Sequence, residues 1–195
     1  MTLNLRISAA YPPRWRANGW LALCLTVLAA FPGTLAAETA ASEYSVKAAI
    51  IYKIAKFVVW PEDAFSSRTE PLPVCLPEAD PIGPALDALA GKIVWGRPIA
   101  IKRLNEISLA DEDCRILFLG EDSLRSRNKL MSNVANSPVL TIGDSNDFVE
   151  VGGIVTLKIE QSHVQFAINI AASERAGLNI SAQLLQLATI KGEGS

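Results

Sequence analysis

The sequence is poor in the residues on which most enzymes and metal sites depend. Its 195 residues include one histidine, His163, and three cysteines. With so few of both, a zinc site would need mainly carboxylate ligands, which is unusual. The sequence contains no G-x-S-x-G motif, no P-loop motif and no G-x-G-x-x-G motif. We therefore expect no catalytic residue, no metal site and no cofactor.

Two weak signals do not change this expectation. His163 is expected at a hairpin turn, where a lone histidine is usually a solvated side chain. The stretch "DSNDFVE" (144–150) resembles the start of a calcium loop, but Val149 stands where that loop needs glycine. We interpret the stretch as a turn in which Asp and Asn side chains bond to their own backbone.

The first 36 residues contain no acidic residue and have the pattern of a secretory signal peptide. Basic residues come first, at Arg6, Arg14 and Arg16. An apolar run, Trp20–Phe31, follows and is shorter than the roughly twenty residues that span a bilayer. We predict Sec export, cleavage after Ala36 or Ala37, and a periplasmic protein. An uncleaved anchor and a lipoprotein attached at Cys24 are the alternatives, and the bulky Leu23 disfavours the second.

Export would leave two cysteines, Cys75 and Cys114, in an oxidising compartment. Both lie at predicted strands of one sheet, so we predict a Cys75–Cys114 disulfide, with two buried free thiols as the alternative. Loss of residues 1–36 would also remove three arginines and no acid from a chain whose net charge is already −2. A net-acidic domain gives no electrostatic footprint for nucleic acid.

Hydrophobic periodicity predicts one domain over residues 43–192. A helix is expected over 43–60, ended by Trp60-Pro61, with an inner face made of Val46, Ile50, Ile54 and Phe57. Lysines on several sides of this helix argue against a membrane span. Further strands are expected at 73–76, 97–104, 114–120, 138–144 and in a hairpin over 152–170, and further helices at 81–91, 123–136 and 181–192. This order indicates a single-domain three-layer α/β sandwich with a mixed β-sheet flanked by helices.

Three stretches, in this order, resemble a known family. They are "FVVWP" (57–61), "VLTIGDSNDFVEVGGIVTL" (139–157) and "FAINIAASERAGLNISAQLLQLA" (166–188). Together they resemble the YfiR family of periplasmic proteins over about residues 43 to 190. Some members of that family carry a second cysteine pair near 149–156, which this chain lacks.

The resemblance implies a regulator that is not an enzyme. Proteins of this type repress an inner-membrane diguanylate cyclase of the YfiN type by binding its periplasmic domain, which lowers cyclic-di-GMP and biofilm formation. An outer-membrane lipoprotein of the YfiB type can sequester them. A second copy of the chain is a further expected partner. The alternative is a periplasmic domain that binds a small ligand as a sensor.

For a regulator that acts by contact, we expect two partner-binding patches. The first comprises Glu150, Asn169, Glu174 and Arg175. Asn169 lies on the strand face opposite Phe166, Ile168 and Ile170, and would be available to a partner if no helix covers it. Glu174 and Arg175 could instead belong to an ordinary solvated loop.

The second expected patch is Trp95 with Gly91 and Lys92 beside it. Trp95 stands between a predicted helix end and a strand, where no large aromatic is needed to fill a core. Trp and Arg are the usual anchors of protein interfaces. The alternative is a Trp95 side chain packed against the domain. A flat apolar surface would favour the regulator, a deep apolar pocket the ligand binder, and two carboxylates about 5–9 Å apart an enzyme.

Overall fold

The computed structural model describes residues 33–105, 113–121, 124–161 and 163–191. The chain divides into two compact units, Met1–Glu38 and Thr39–Ser195. Of the first unit only the backbone of 33–38 is described, so the predicted signal peptide lies almost wholly outside the described residues. No helix in the described ranges is both long enough and apolar enough to cross a membrane.

A mixed sheet of eight strands forms the centre of the described part. The other two strands, β1 and β9, pair with each other as a separate antiparallel ribbon. The ten strands are β1 (Val58–Val59), β2 (Leu72–Pro77), β3 (Ile93–Val94), β4 (Arg97–Leu104), β5 (Ile116–Leu119), β6 (Leu140–Gly143), β7 (Val155–Glu160), β8 (His163–Asn169), β9 (Asn179–Ile180) and β10 (Thr189–Lys191). The order across the large sheet is β10-β8-β7-β6-β5-β2-β4-β3.

Strands β4, β2, β5, β6 and β7 run parallel, whereas β8 is antiparallel to β7 and β3 is antiparallel to β4. Each parallel connection carries a helix or a long crossover, as parallel pairing requires. Strands β5 and β6 are buried along their whole length. The predicted hairpin is confirmed, with Glu160 opposite His163 at its turn.

Helices cover both faces of the sheet. They are α1 (Gly33–Ala55), α2 (Gly83–Asp87), α3 (Leu124–Val134), α4 (Ile170–Arg175) and α5 (Ala182–Leu185), with a 3₁₀ turn at Glu62–Ala64. Along β5, Ile116 and Phe118 join the core under α1, whereas Leu117 and Leu119 join the core under α3. This alternation makes the three layers, and the predicted α/β fold class is confirmed.

Helix α1 ends earlier than predicted, and its buried face only partly coincides with the predicted one. It stops at Ala55, because Lys56 N and Phe57 N bond to Lys53 O and Ile54 O and close the helix with a tight turn. The chain then extends as β1, so Pro61 is not the helix stop. The predicted Val46 is 40% exposed. Ile54 of the predicted inner face is buried, together with Ala48, Ile51 and Ala55. Ile50 and Phe57 are partly buried against the same core.

The C-terminal segment also differs from the prediction. The expected helix over 181–192 is a single turn, capped by Ser181, whose Oγ accepts a hydrogen bond from Leu184 N at 3.3 Å. The β-branched pair in Thr189–Lys191 then pairs in parallel with β8 and extends the sheet. The segment forms a strand rather than a helix because the backbone groups of β8 provide hydrogen-bond partners for it.

The predicted Cys75–Cys114 disulfide is confirmed. The two Cα atoms lie 5.9 Å apart, within the range that a disulfide spans. Both cysteines are buried in the core under α3. The bond ties β2 to the residues that lead into the neighbouring strand β5.

Candidate interaction surface

Trp95 is held at the tip of a tight hairpin. Val94 pairs with Arg97, so Trp95 and Gly96 form a two-residue turn between β3 and β4. Their φ angles are 52° and 78°, as in a type I′ turn, which normally uses Asn, Asp and Gly. A bulky residue in this left-handed region costs on the order of 1–3 kcal/mol. The turn therefore holds the backbone of Trp95 in a left-handed conformation that tryptophan rarely adopts.

The side chain of Trp95 is both exposed and anchored. It is 62% exposed, yet its Nε1 donates a hydrogen bond of 2.9 Å to Val58 O on β1. The indole N–H is thus satisfied inside the protein while the ring faces outward. The alternative of a Trp95 packed into the domain does not describe this geometry.

Two further apolar side chains share this region. Val59, next to the carbonyl that Trp95 contacts, is 50% exposed, and Ile93 on β3 is 52% exposed. We call Val59, Ile93 and Trp95 the Trp95 surface. Exposed apolar groups scattered singly need no explanation, but a cluster is a candidate contact site.

Lysines border the Trp95 surface. The ammonium groups of Lys56 and Lys92 lie 4.2 and 5.5 Å from the centre of the Tyr52 ring. The Tyr52 hydroxyl donates a hydrogen bond of 3.2 Å to Ile93 O, which joins α1 to β3.

The β3–β4 hairpin brings together the second predicted patch, which comprises Gly91, Lys92 and Trp95. Gly91 N bonds to Ile99 O, and Ile99 N bonds to Lys92 O, both at 2.9 Å.

A cleft opens beside the Trp95 surface. Its volume is about 640 Å³, within the range of ligand pockets. It lies between the 3₁₀ turn that follows β1 and the β3–β4 hairpin. Its lining residues are Val59, Trp60, Pro61, Glu62, Phe65, Arg68, Leu72, Val94, Trp95 and Arg97.

Arg97 is fixed in this cleft by three contacts. Its Nη1 donates to Ser67 O at 2.7 Å and to Glu70 O at 2.8 Å. Its guanidinium carbon lies 3.7 Å from the centre of the Phe65 ring, a cation–π contact. The side chain is therefore ordered by the protein before any partner arrives.

Asn169, predicted in the first patch, is used inside the fold. It is 7% exposed. Its Oδ1 accepts a hydrogen bond from Ala172 N and caps α4, and its Nδ2 donates to Val149 O, both at 2.9 Å. Asn169 is therefore not available to a partner, because a short helix begins at Asn169 and the loop after β6 covers its side chain.

The other residues of the first patch are exposed but line different grooves. Glu150 borders a groove of about 270 Å³ with residues of β8 and β10. Glu174 borders a groove of about 280 Å³ next to β9, and Arg175 follows it at the end of α4. Asn169 links the two regions through Val149 and Ala172.

A cluster of charged groups secures the turn after β6. Lys47 on α1 bonds to Asp144 at 3.0 Å and to Glu43 at 2.8 Å. Burial acts against the charge of Lys47, but these hydrogen bonds outweigh it and raise the pKa of its ammonium group. Hydrogen bonds from Arg127 and Ser145 lower the pKa of Asp147.

These contacts account for Asp144, Ser145 and Asp147 of "DSNDFVE", whose side chains bond to Lys47 and Arg127 on other elements, a role not expected from the sequence. Phe148 N bonds to Ser145 O, and Glu150 N bonds to Asp147 O, so the stretch is a turn as predicted. Within the described ranges, no group of three or more His, Cys, Asp and Glu side chains is placed to hold a metal ion.

Sequence reasoning missed several residues of this region. Val59, Phe65, Arg68 and Arg97 were not among the predicted site residues. The signal for the hairpin was the "WG" pair between two β-rich segments, "KIV" and "RPIAI". It was hard to recognise because Trp is not the residue type that such a turn favours.

Comparison with known proteins identifies a family and solved structures of similar fold. A family model described as YfiR/HmsC-like matches residues 44–189. A crystal structure of a "conserved domain protein" from Vibrio cholerae O1 biovar El Tor is similar, with a TM-score of 0.50 and 15% identity. The match covers 77% of this chain and 60% of that one. At this identity, the likeness to the Vibrio structure concerns the fold alone.

Proposed function

The chain belongs to the YfiR/HmsC-like family, a family of periplasmic regulators of cyclic-di-GMP signalling, and from this premise we propose that it represses an inner-membrane diguanylate cyclase of the YfiN type. It does so in the periplasm, by binding the periplasmic domain of the cyclase and holding it inactive. The cyclase substrate stays in the cytoplasm, so the regulator acts through contact. An outer-membrane lipoprotein of the YfiB type relieves repression by sequestering it.

The observation that best supports this proposal is the Trp95 surface. A tryptophan that is 62% exposed, bonded through its N–H and held in a left-handed turn serves no evident packing purpose. Rigid exposed aromatics are typical anchors of protein interfaces, because little conformational entropy is lost when they bind. In this proposal Trp95 with Gly91 and Lys92 contacts one partner surface, and Glu150 and Glu174 with Arg175 contact the partner from their separate grooves.

The first test changes one anchor in each patch. Losing an interface anchor typically costs 2 kcal/mol or more, so Trp95→Ala and Arg175→Glu should each weaken cyclase binding at least about thirtyfold. Both variants should raise cyclic-di-GMP in cells while the midpoint of thermal unfolding stays nearly unchanged. Leu187→Ala is the matched control for Trp95, because Leu187 is 74% exposed and lies outside both patches.

Two results would contradict the proposal. One is an unchanged level of cyclic-di-GMP after deletion of the gene, and the other is a pull-down from the periplasm and inner membrane that retains no diguanylate cyclase. If the variants instead lower the unfolding midpoint, Trp95 and Arg175 support the fold rather than the interface.

The cleft supports the second candidate function, a sensor for a small ligand. Its volume of about 640 Å³ would accommodate one. A metabolite that co-purifies with the protein and raises its unfolding midpoint would favour this candidate over direct repression alone.

A further inference from the structure

Positive charge is concentrated around the cleft. Arg68 and Arg97 line it, and Glu62 is the one acidic residue among the described lining residues. Lys56 and Lys92 border the adjoining Trp95 surface. The full chain has a net charge of −2, so this local excess of cations runs against the overall balance. Such a distribution favours an anionic partner group at this place.

Arg97 is prepared to bind a carboxylate. Its Nη1 is engaged by two backbone carbonyls, and its guanidinium stacks on Phe65. Among the ion pairs of the described residues, none involves Arg97 or Arg68. A guanidinium that is held in place and not neutralised offers a planar fork of donors, which matches the geometry of a carboxylate.

The walls beside Arg97 are suited to an apolar side chain. The indole nitrogens of Trp60 and Trp95 are bonded to Arg115 O and Val58 O at 3.2 and 2.9 Å, so the two rings have no unpaired donor. Leu72 and Val94 complete the apolar lining. Trp95 belongs to both the cleft and the Trp95 surface, which makes the two continuous.

We propose that the cleft receives an acidic segment of the partner protein that also carries a large apolar side chain. The partner's carboxylate pairs with Arg97, and its apolar side chain fills the space between Phe65 and Trp95. The continuity with the Trp95 surface favours a protein segment over a free small molecule, because one protein can cover both. This inference rests on the proposed function, since it specifies the chemistry of the partner at that surface.

The test measures the affinity of purified variants for the periplasmic cyclase domain captured in the pull-down. Arg97→Gln should weaken binding at least about thirtyfold, because it leaves a partner carboxylate unpaired. Arg97→Lys should be intermediate, and Arg97→Glu the weakest of the three. Arg68→Gln should mainly slow association, and higher salt should reduce that difference. Lys129→Gln, which removes an exposed charge on α3, is the matched control and should change nothing.

Glu62→Gln gives a test with the opposite sign. Removing the acidic residue of the cleft should tighten binding by roughly two- to fivefold, the scale of one exposed charge pair. Unfolding cannot mimic a gain in affinity, so this result is independent of any effect on stability. A loss of affinity in Glu62→Gln would overturn the assignment of an acidic partner segment.

The outcomes separate this inference from the proposed function. If the unmodified protein binds no cyclase domain, the proposed function fails. If it binds but the Arg97 series and Glu62→Gln leave the affinity unchanged, only the cleft assignment fails. Two rival occupants would also overturn it. One is a lipid surface, detected as Trp95-dependent cosedimentation with phosphatidylglycerol vesicles. The other is a small acid, detected as benzoate that binds with an Arg97-dependent rise in the unfolding midpoint but does not displace the cyclase domain.

Discussion

At the scale of single residues, exposure was easier to predict than burial. The place of Trp95 next to a strand start, where it fills no regular core, allowed an exposed side chain as one of two alternatives. The burial of Asn169 could not be predicted, because alternation along β8 says only which face it shares. Asn169 is covered by Val149, which lies 20 positions away, and by the helix that begins at Asn169 itself.

Asn169 is therefore expected to matter for stability. Asn169→Ala removes a helix cap and leaves Val149 O without its buried donor, two losses of roughly 1–2 kcal/mol each. Thermal unfolding followed by circular dichroism should show a midpoint lower by several degrees, at about 2–4 °C per kcal/mol. Gln165→Ala, at an exposed position of the same strand, should leave the midpoint in place. An unchanged midpoint in Asn169→Ala would show that these two bonds contribute little.

At the scale of elements, long strands with clear patterns were predictable and very short ones were not. The expected strand over 97–104 coincides with β4, and the buried run at 114–120 contains β5. Strands β1, β3, β9 and β10 have two or three residues each, too few to show a period of two. They exist because a distant segment pairs with them, as Asn179–Ile180 pairs with Val58–Val59.

The link between β2 and the start of β5 leads to a prediction about stability. The disulfide closes a loop with a sequence separation of 39 residues. In the chain-entropy account, such a loop contributes about 4 kcal/mol to the free energy of unfolding. The double variant Cys75→Ala/Cys114→Ala should lose up to that amount in urea unfolding, with the fold retained. Alkylation of the unreduced, denatured protein should leave both cysteines unlabelled, and labelling at both positions would contradict the pairing.

At the scale of the whole molecule, the sequence pattern predicted the fold class and the family, but not how the surface is arranged. The strand and helix order sufficed for the α/β fold, and three stretches sufficed for the family. The cleft required the structure, because Phe65 and Arg97 are brought together by a loop and a hairpin that no sequence period marks.

Export is the prediction that belongs to this scale. The basic start, the short apolar run and the small residues near Ala36 predict a Sec signal peptide. Intact-mass measurement of periplasmic material should show a chain that starts between Ala37 and Ser42. Recovery of the 195-residue chain from the inner membrane would contradict cleavage.

The outermost strands of the sheet affect how the protein behaves in concentrated solution. One outer strand, β3, has two residues, and the other, β10, has three. A long unpaired strand edge invites other chains to add to the sheet, which leads to fibres and precipitates. Next to Trp95, β3 offers only two residues for such growth, and it already pairs with Arg97 and Pro98 at the start of β4. Ile93 and Trp95 are thus exposed at a corner of the sheet where the backbone gives little support for polymerisation.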